Sequence, residues 1–163
     1  MPDRELPTPQ PPLVVRRVVD ALASSDTFEG LTVRRVDDVL FVEFPGTRAD
    51  GTVDRYVTKW SFAYYPEWPP DVTFVKRDTL TYDPAAWPKI NNSPVFALHA
   101  AYPGAPAGLI CNSMFFGYYF WGGHGSQPAA SWKAGVHHAS ASVGELKIHL
   151  AQPWYVGPSH AGS

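Results

Sequence analysis

A single cysteine, Cys111, and six histidines are the side chains of this 163-residue chain best suited to covalent or acid–base chemistry. Cys111 stands in Gly108-Leu109-Ile110-Cys111-Asn112-Ser113, after a Gly/Pro/Ala segment and ahead of an aromatic run, Phe115, Phe116, Tyr118, Tyr119, Phe120 and Trp121. A reactive thiol must be reachable and partly ionised, and a glycine-bearing loop suits both needs. The competing reading is a small apolar side chain buried beside Leu109 and Ile110. His124, in Trp121-Gly122-Gly123-His124-Gly125, is close enough in sequence to depress the thiol pKa or to position an incoming amine. A plain surface loop accounts for the same residues. His137, His138 and His149 contain no i, i+4 pair of the kind a helical zinc site uses, so no metal is expected and they read as solvated or capping side chains. The aromatic run reads first as packing under the Cys111 loop and second as a ligand wall.

The elements that must position these groups follow from patterning. Pro11 and Pro12 open a helix over 13–24, with Val14, Val18 and Leu22 at four-residue spacing, Val15 and Val19 beside them, and Arg16, Arg17 and Asp20 on the wet side. Residues 31–36 and 39–44 are β-branched and apolar around Asp37-Asp38, which is a hairpin. A turn over 45–51 precedes a strand in which Tyr56, Thr58, Trp60, Phe62 and Tyr64 alternate with Arg55, Val57, Lys59, Ser61 and Ala63. Pro69 and Pro70 interrupt the ladder before a short strand over 71–75. Residues 76–96 are irregular, and a long loop carries Cys111. Ser131 is the expected N-cap of a last helix with Trp132, Val136, Ala139, Val143, Leu146 and Leu150 on one stripe, ended by Pro153. The predicted class is α+β, with helices on one face of a four-stranded antiparallel meander. Residues 1–10 read as a flexible tail, 11–155 as one domain, and 156–163 as a second flexible tail.

Composition narrows the functions. Thirteen Lys plus Arg against 15 Asp plus Glu give a formal charge of −2, which leaves no excess positive charge for a nucleic-acid backbone. No stretch approaches the roughly 18 apolar residues that span a bilayer, the amino end lacks an apolar signal core, and a lone cysteine cannot form an internal disulfide. The expectation is a cytoplasmic protein without membrane or nucleic-acid partners. Seventeen Pro and 13 Gly beside six Trp, eight Tyr and nine Phe suit a small domain with long, shaped loops.

Two segments carry a resemblance. Tyr65-Pro66-Glu67-Trp68-Pro69-Pro70-Asp71-Val72-Thr73-Phe74 is similar to the Tyr-Pro-x-x-Pro-Pro-x-Val-x-Phe signature of the ubiquitin-conjugating enzyme (E2) family. Gly108-Leu109-Ile110-Cys111, about 40 residues on, resembles the Gly-x-Ile-Cys that bears the E2 catalytic cysteine. The resemblance implies the UBC-like fold: an amino-terminal helix, a four-stranded meander, a long active-site loop and a crossing helix. Here the two carboxy-terminal helices of eukaryotic E2s are missing. It also implies that Cys111 accepts a ubiquitin-like protein from an E1-like adenylating enzyme as a thioester and passes it to an amine of a protein target, with no cofactor. Arg16 and Arg17 match the position where E2s meet their E1.

The His-Pro-Asn motif that precedes the cysteine in eukaryotic E2s is replaced by Ala101-Tyr102-Pro103. His99, twelve residues before Cys111, and Asn112, directly after it, are the substitutes to stabilise the oxyanion. These departures resemble the divergent bacterial E2-like proteins, whose cassettes serve antiphage defence in several systems. Two other readings compete. One is an inactive E2 variant that only docks a ubiquitin-like protein. The other is a small cysteine hydrolase using Cys111 with His99 or His124.

Overall fold

The computed structural model describes residues 5–123 and 132–159. The first helix, α1 (Pro12–Ala23), starts where Pro11 and Pro12 fix φ and need no amide donor. Its buried stripe centres on Val15 and Val19, while Leu13 and Val14 face outward. Strands β1 (Thr32–Val36), β2 (Val39–Thr47), β3 (Val53–Ser61) and β4 (Asp71–Val75) form an antiparallel sheet in sequence order. Asp37, at φ 52, closes the β1–β2 hairpin in the left-handed region that Asp tolerates. β2 runs three residues into the expected turn, because Pro45, Gly46 and Thr47 still pair with Arg55, Asp54 and Val53.

Register explains the core. Leu40 lies opposite Trp60, Val42 opposite Thr58, and Phe44 opposite Tyr56, while Thr58 and Trp60 in turn face Phe74 and Val72. All of these side chains are buried on one sheet face. Val15 and Val19 of α1 join the same cluster, as do Val143 and Leu146 of the last helix, α3 (Ala139–His149). Both helices therefore cover one face, as the α+β pattern requires. The hydroxyl of Thr58 in that layer is satisfied: Oγ1 donates to the Val42 carbonyl at 2.8 Å and accepts from Trp60 Nε1 at 2.7 Å.

The second half uses shorter pieces. After a single 3₁₀ turn (Pro84–Ala86) come β5 (Pro88–Ile90), β6 (Ala97–His99), β7 (Leu109–Cys111), α2 (Phe116–Phe120), α3 and β8 (Tyr155–Pro158). β5 pairs with β8 and β6 with β7, both antiparallel. Two expectations are corrected here. The last helix begins at Ala139, because Gly135 takes φ +81 in a turn and Val136 is 68% exposed, so the apolar stripe from Trp132 is only partly helical. Residues 156–158, expected in a flexible tail, are strand, and the Tyr155 ring lies where a Cβ on Gly46 would be, 2.6 Å away. Ser131, the expected N-cap, is outside the described residues; His138 occupies that position without a side-chain cap.

Candidate active site

Cys111 is the last residue of β7, opposite Ala97 of β6, and is half-buried. Three contacts hold the residues that flank that strand. Gly108, at φ +74, lies directly under the Trp87 indole, and a Cβ there would stand 2.3 Å from it. Thr73 of β4 donates its hydroxyl to the Ala107 carbonyl at 2.6 Å. The amide of Phe116, at the start of α2, donates to the Pro70 carbonyl at 3.1 Å. The proline-rich turn and β4 are thus tied to the segments on either side of the cysteine strand, although about 40 residues separate them. The same turn is held from the other side, since Trp132 Nε1 donates to the Pro66 carbonyl at 2.9 Å and the Ala139 amide to the Tyr65 hydroxyl at 3.2 Å.

Burial pushes the Cys111 thiol above its ordinary value. The thiol is therefore largely protonated near neutral pH. Burial likewise raises the Tyr118 phenol, and the Cys111 charge adds to the shift, which puts Tyr118 within electrostatic reach of the thiol. Sequence reading assigns Tyr118 only to the aromatic run. That run does pack: Phe116 stacks on Tyr64 at 4.6 Å and on Phe120 at 4.3 Å, and every residue of α2 is buried.

The other expected site residues are spread. His99 pairs with Leu109 and so shares the Cys111 face of the β6–β7 ribbon, one diagonal step away, with its ring against Tyr102 at 5.3 Å. Asn112 is 4% exposed and its carboxamide is used internally: Nδ2 donates to the Val95 carbonyl at 2.8 Å and Oδ1 accepts from the Met114 amide at 2.9 Å. Asn112 thus holds the chain after the cysteine and turns its amide inward. His124 lies outside the described residues. Arg16 and Arg17 are exposed on α1, Arg16 within 3.5 Å of Asp38. His149, expected to be solvated or capping, is buried instead, stacked on Phe96 at 4.1 Å, with Nδ1 on the Glu145 carbonyl.

Sequence reading missed Asp71. With Lys59, Ser61 and Thr73 it lines a cleft of about 240 Å³ between β3–β4, the 106–108 segment and α2. Burial pushes its carboxyl up to about 6, against the opposing pull of Lys59. The signal was present: period two on paired strands puts 59, 61, 71 and 73 on one face. Among the described residues no three His, Cys, Asp or Glu side chains cluster as a metal site, and no helix is long and apolar enough to cross a membrane. Compared with known proteins, the chain matches no family model, no curated protein and no solved structure.

Proposed function

We propose that the protein is an E2-like conjugating enzyme with a UBC-like fold, carrying a ubiquitin-like protein as a thioester on Cys111. The observation that supports the reading is that the Tyr65-Pro66-x-x-Pro69-Pro70 turn and β4 are bonded to the residues on either side of the cysteine strand, the Pro70 carbonyl to Phe116 after it and Thr73 to Ala107 before it. Both segments that resemble the family thereby bear on one place. The Cys111 thiolate attacks the thioester carbonyl of the E1-bound ubiquitin-like protein, forming a new C–S bond as the E1 thiolate leaves. An amine of the target then attacks, a C–N bond forms, the Cys111 C–S bond breaks, and the amine proton passes to water. A raised thiol pKa fits such a carrier, because a less acidic thiolate is the stronger nucleophile once formed. It fits a cysteine hydrolase poorly, since that chemistry relies on a depressed thiol pKa.

With the Asn112 amide bound to Val95, His99 is, of the expected site residues among those described, the one that remains to donate to the oxyanion, a contribution of about 3 kcal/mol in other acyl transfers. On this reading the partners are an E1-like adenylating enzyme, a ubiquitin-like protein and a protein target, in the bacterial cytoplasm and in a defence cassette. The test is incubation with the cognate E1-like enzyme, ATP and the ubiquitin-like protein, resolved on a non-reducing gel. A thiol-sensitive adduct, lost in Cys111→Ala and converted to a thiol-resistant one in Cys111→Ser, is the expected result. Normal charging of Cys111→Ala, or no adduct with an E1 shown to be active, overturns the reading.

A further inference from the structure

The cleft beside β4 is separate in chemistry from the thiol. Its floor is the outer face of β3–β4, where Ser61 lies opposite Asp71 and Lys59 opposite Thr73, so Lys59 and Asp71 are diagonal neighbours. Diagonal pairs stand roughly 7–8 Å apart at the backbone. The two charges share the cleft, yet they are not within the 4.0 Å of an ion pair, and among the described residues Asp71 has no hydrogen-bond donor. The carboxylate is half-buried and opens on the cleft, so a ligand that brings donors takes the place of water there. Ala107, Gly108 and Gly117, whose side chains are small or absent, also line the cleft, together with Trp121. The volume is several times the roughly 30 Å³ that a water takes in the liquid, enough for a molecule of amino-acid size.

We propose that this cleft binds a small zwitterion, its ammonium on Asp71 and its carboxylate on Lys59. Opposite charges held apart on a rigid strand pair recognise a ligand whose own charges are held apart in the reverse sense. A cation alone leaves Lys59 without a counter-charge, and an anion alone leaves Asp71 with water as its donor. The inference does not depend on the thioester reading, and its test needs neither E1 nor ubiquitin-like protein.

The test is a heteronuclear NMR titration of the full chain with glycine, β-alanine and glycylglycine, with methylamine and acetate as single-charge probes. Saturable shifts at the amides of Asp71, Thr73, Gly108 and Gly117 are expected. The best zwitterion should bind at least about tenfold tighter than either single-charge probe, and the ranking of the three reports the charge separation the cleft prefers. Asp71→Asn and Lys59→Met should each weaken that zwitterion by about tenfold or more with spectral dispersion unchanged. Because Lys59 is exposed, its variant keeps the test meaningful if Asp71→Asn perturbs the fold. No saturable shift at millimolar ligand, equal binding of methylamine or acetate, or full binding by the Lys59 variant overturns the proposal.

Discussion

The meander and the cysteine-bearing segment over 96–121 are built on different principles. In the meander each strand supports its neighbour through a continuous ladder, and the alternate residues of β2 and β3 fall into one apolar layer. A local fault there is shared among many equivalent contacts. Around Cys111 the strands are three residues long, and position is set by single contacts: Trp87 on Gly108, Thr73 on Ala107, Asn112 between Val95 and Met114. Regular structure spreads its tolerance, whereas a site assembled from individual fittings is only as firm as each of them.

The sharpest way to test that contrast is a matched pair of glycines. Gly51, in the β2–β3 turn, has φ +88 and open space around it; Gly108 has φ +74, and an added methyl group would meet the Trp87 ring at 2.3 Å. Gly51→Ala should cost about 1 kcal/mol, the backbone term alone. Gly108→Ala should cost about 2–4 kcal/mol, since it adds the strain of overpacking to the same backbone term. Urea denaturation measures both. Equal losses at the two positions would show that the cysteine segment yields as easily as an open turn.

Asn112 gives the next largest effect. Asn112→Ala leaves the Val95 carbonyl and the Met114 amide without their partner, a loss of about 2 kcal/mol for such groups. The loss should be local, seen as faster hydrogen exchange over 95–98 and 111–115 with the β2 and β3 amides still protected. Uniform exchange across both regions would instead join the segment to the meander as one cooperative unit.

How much of this was legible depends on the length of the pattern. The strand over 71–75 matches β4 at both ends, since prolines stop it on one side and alternation marks its face. α1 was legible from its proline start and valine stripe. The last helix was over-read, because Trp132 and Val136 continue the spacing of Ala139, Val143 and Leu146 by coincidence and only the conformation of Gly135 breaks it. β6, β7 and β8 offered three or four residues each, too few for a period to show, and the pairing that brings Ala97 opposite Cys111 is a non-local choice. Cys111 itself was legible as the only thiol. The inward turn of the Asn112 amide, the burial of His149 and the cleft at Asp71 were not, because each depends on contacts distant in sequence.

Asp71 makes the contrast dependent on pH. Its carboxyl titrates higher in the folded protein, at about 6, than at the ordinary value of 3.8. The native state therefore holds this proton more tightly, and the stabilisation from it is full below 3.8 and lost as pH rises through about 6. A shift of about two units corresponds to about 3 kcal/mol at most, less here because the carboxyl opens on the cleft. Asp71→Asn should therefore be more stable than the natural protein by about 1–2 kcal/mol near pH 7.5, with most of the gain gone near pH 4. Chemical denaturation at both pH values tests this, and a gain that does not change with pH removes Asp71 as its source.

The smallest effects belong to the exposed side of α1, where the comparison is between two adjacent arginines. Arg16 lies 3.5 Å from Asp38, which also faces Arg35, so part of its charge is already answered within the chain. Arg17 has no ion pair among the described residues. Exposed pairs of this kind are worth about 0–1 kcal/mol, so Arg16→Ala should shift stability by no more than about 0.5 kcal/mol and Arg17→Ala by less. Binding should rank them in reverse. If α1 meets an acidic surface of the E1-like enzyme, the unanswered charge of Arg17 steers the encounter more than that of Arg16. Arg17→Ala should then raise the KM for E1 in the charging assay several-fold at low salt with kcat unchanged, Arg16→Ala should raise it less, and both differences should shrink as salt is added. An equal KM for both variants and the natural protein would take the docking surface off this helix while leaving the chemistry at Cys111 as it stands.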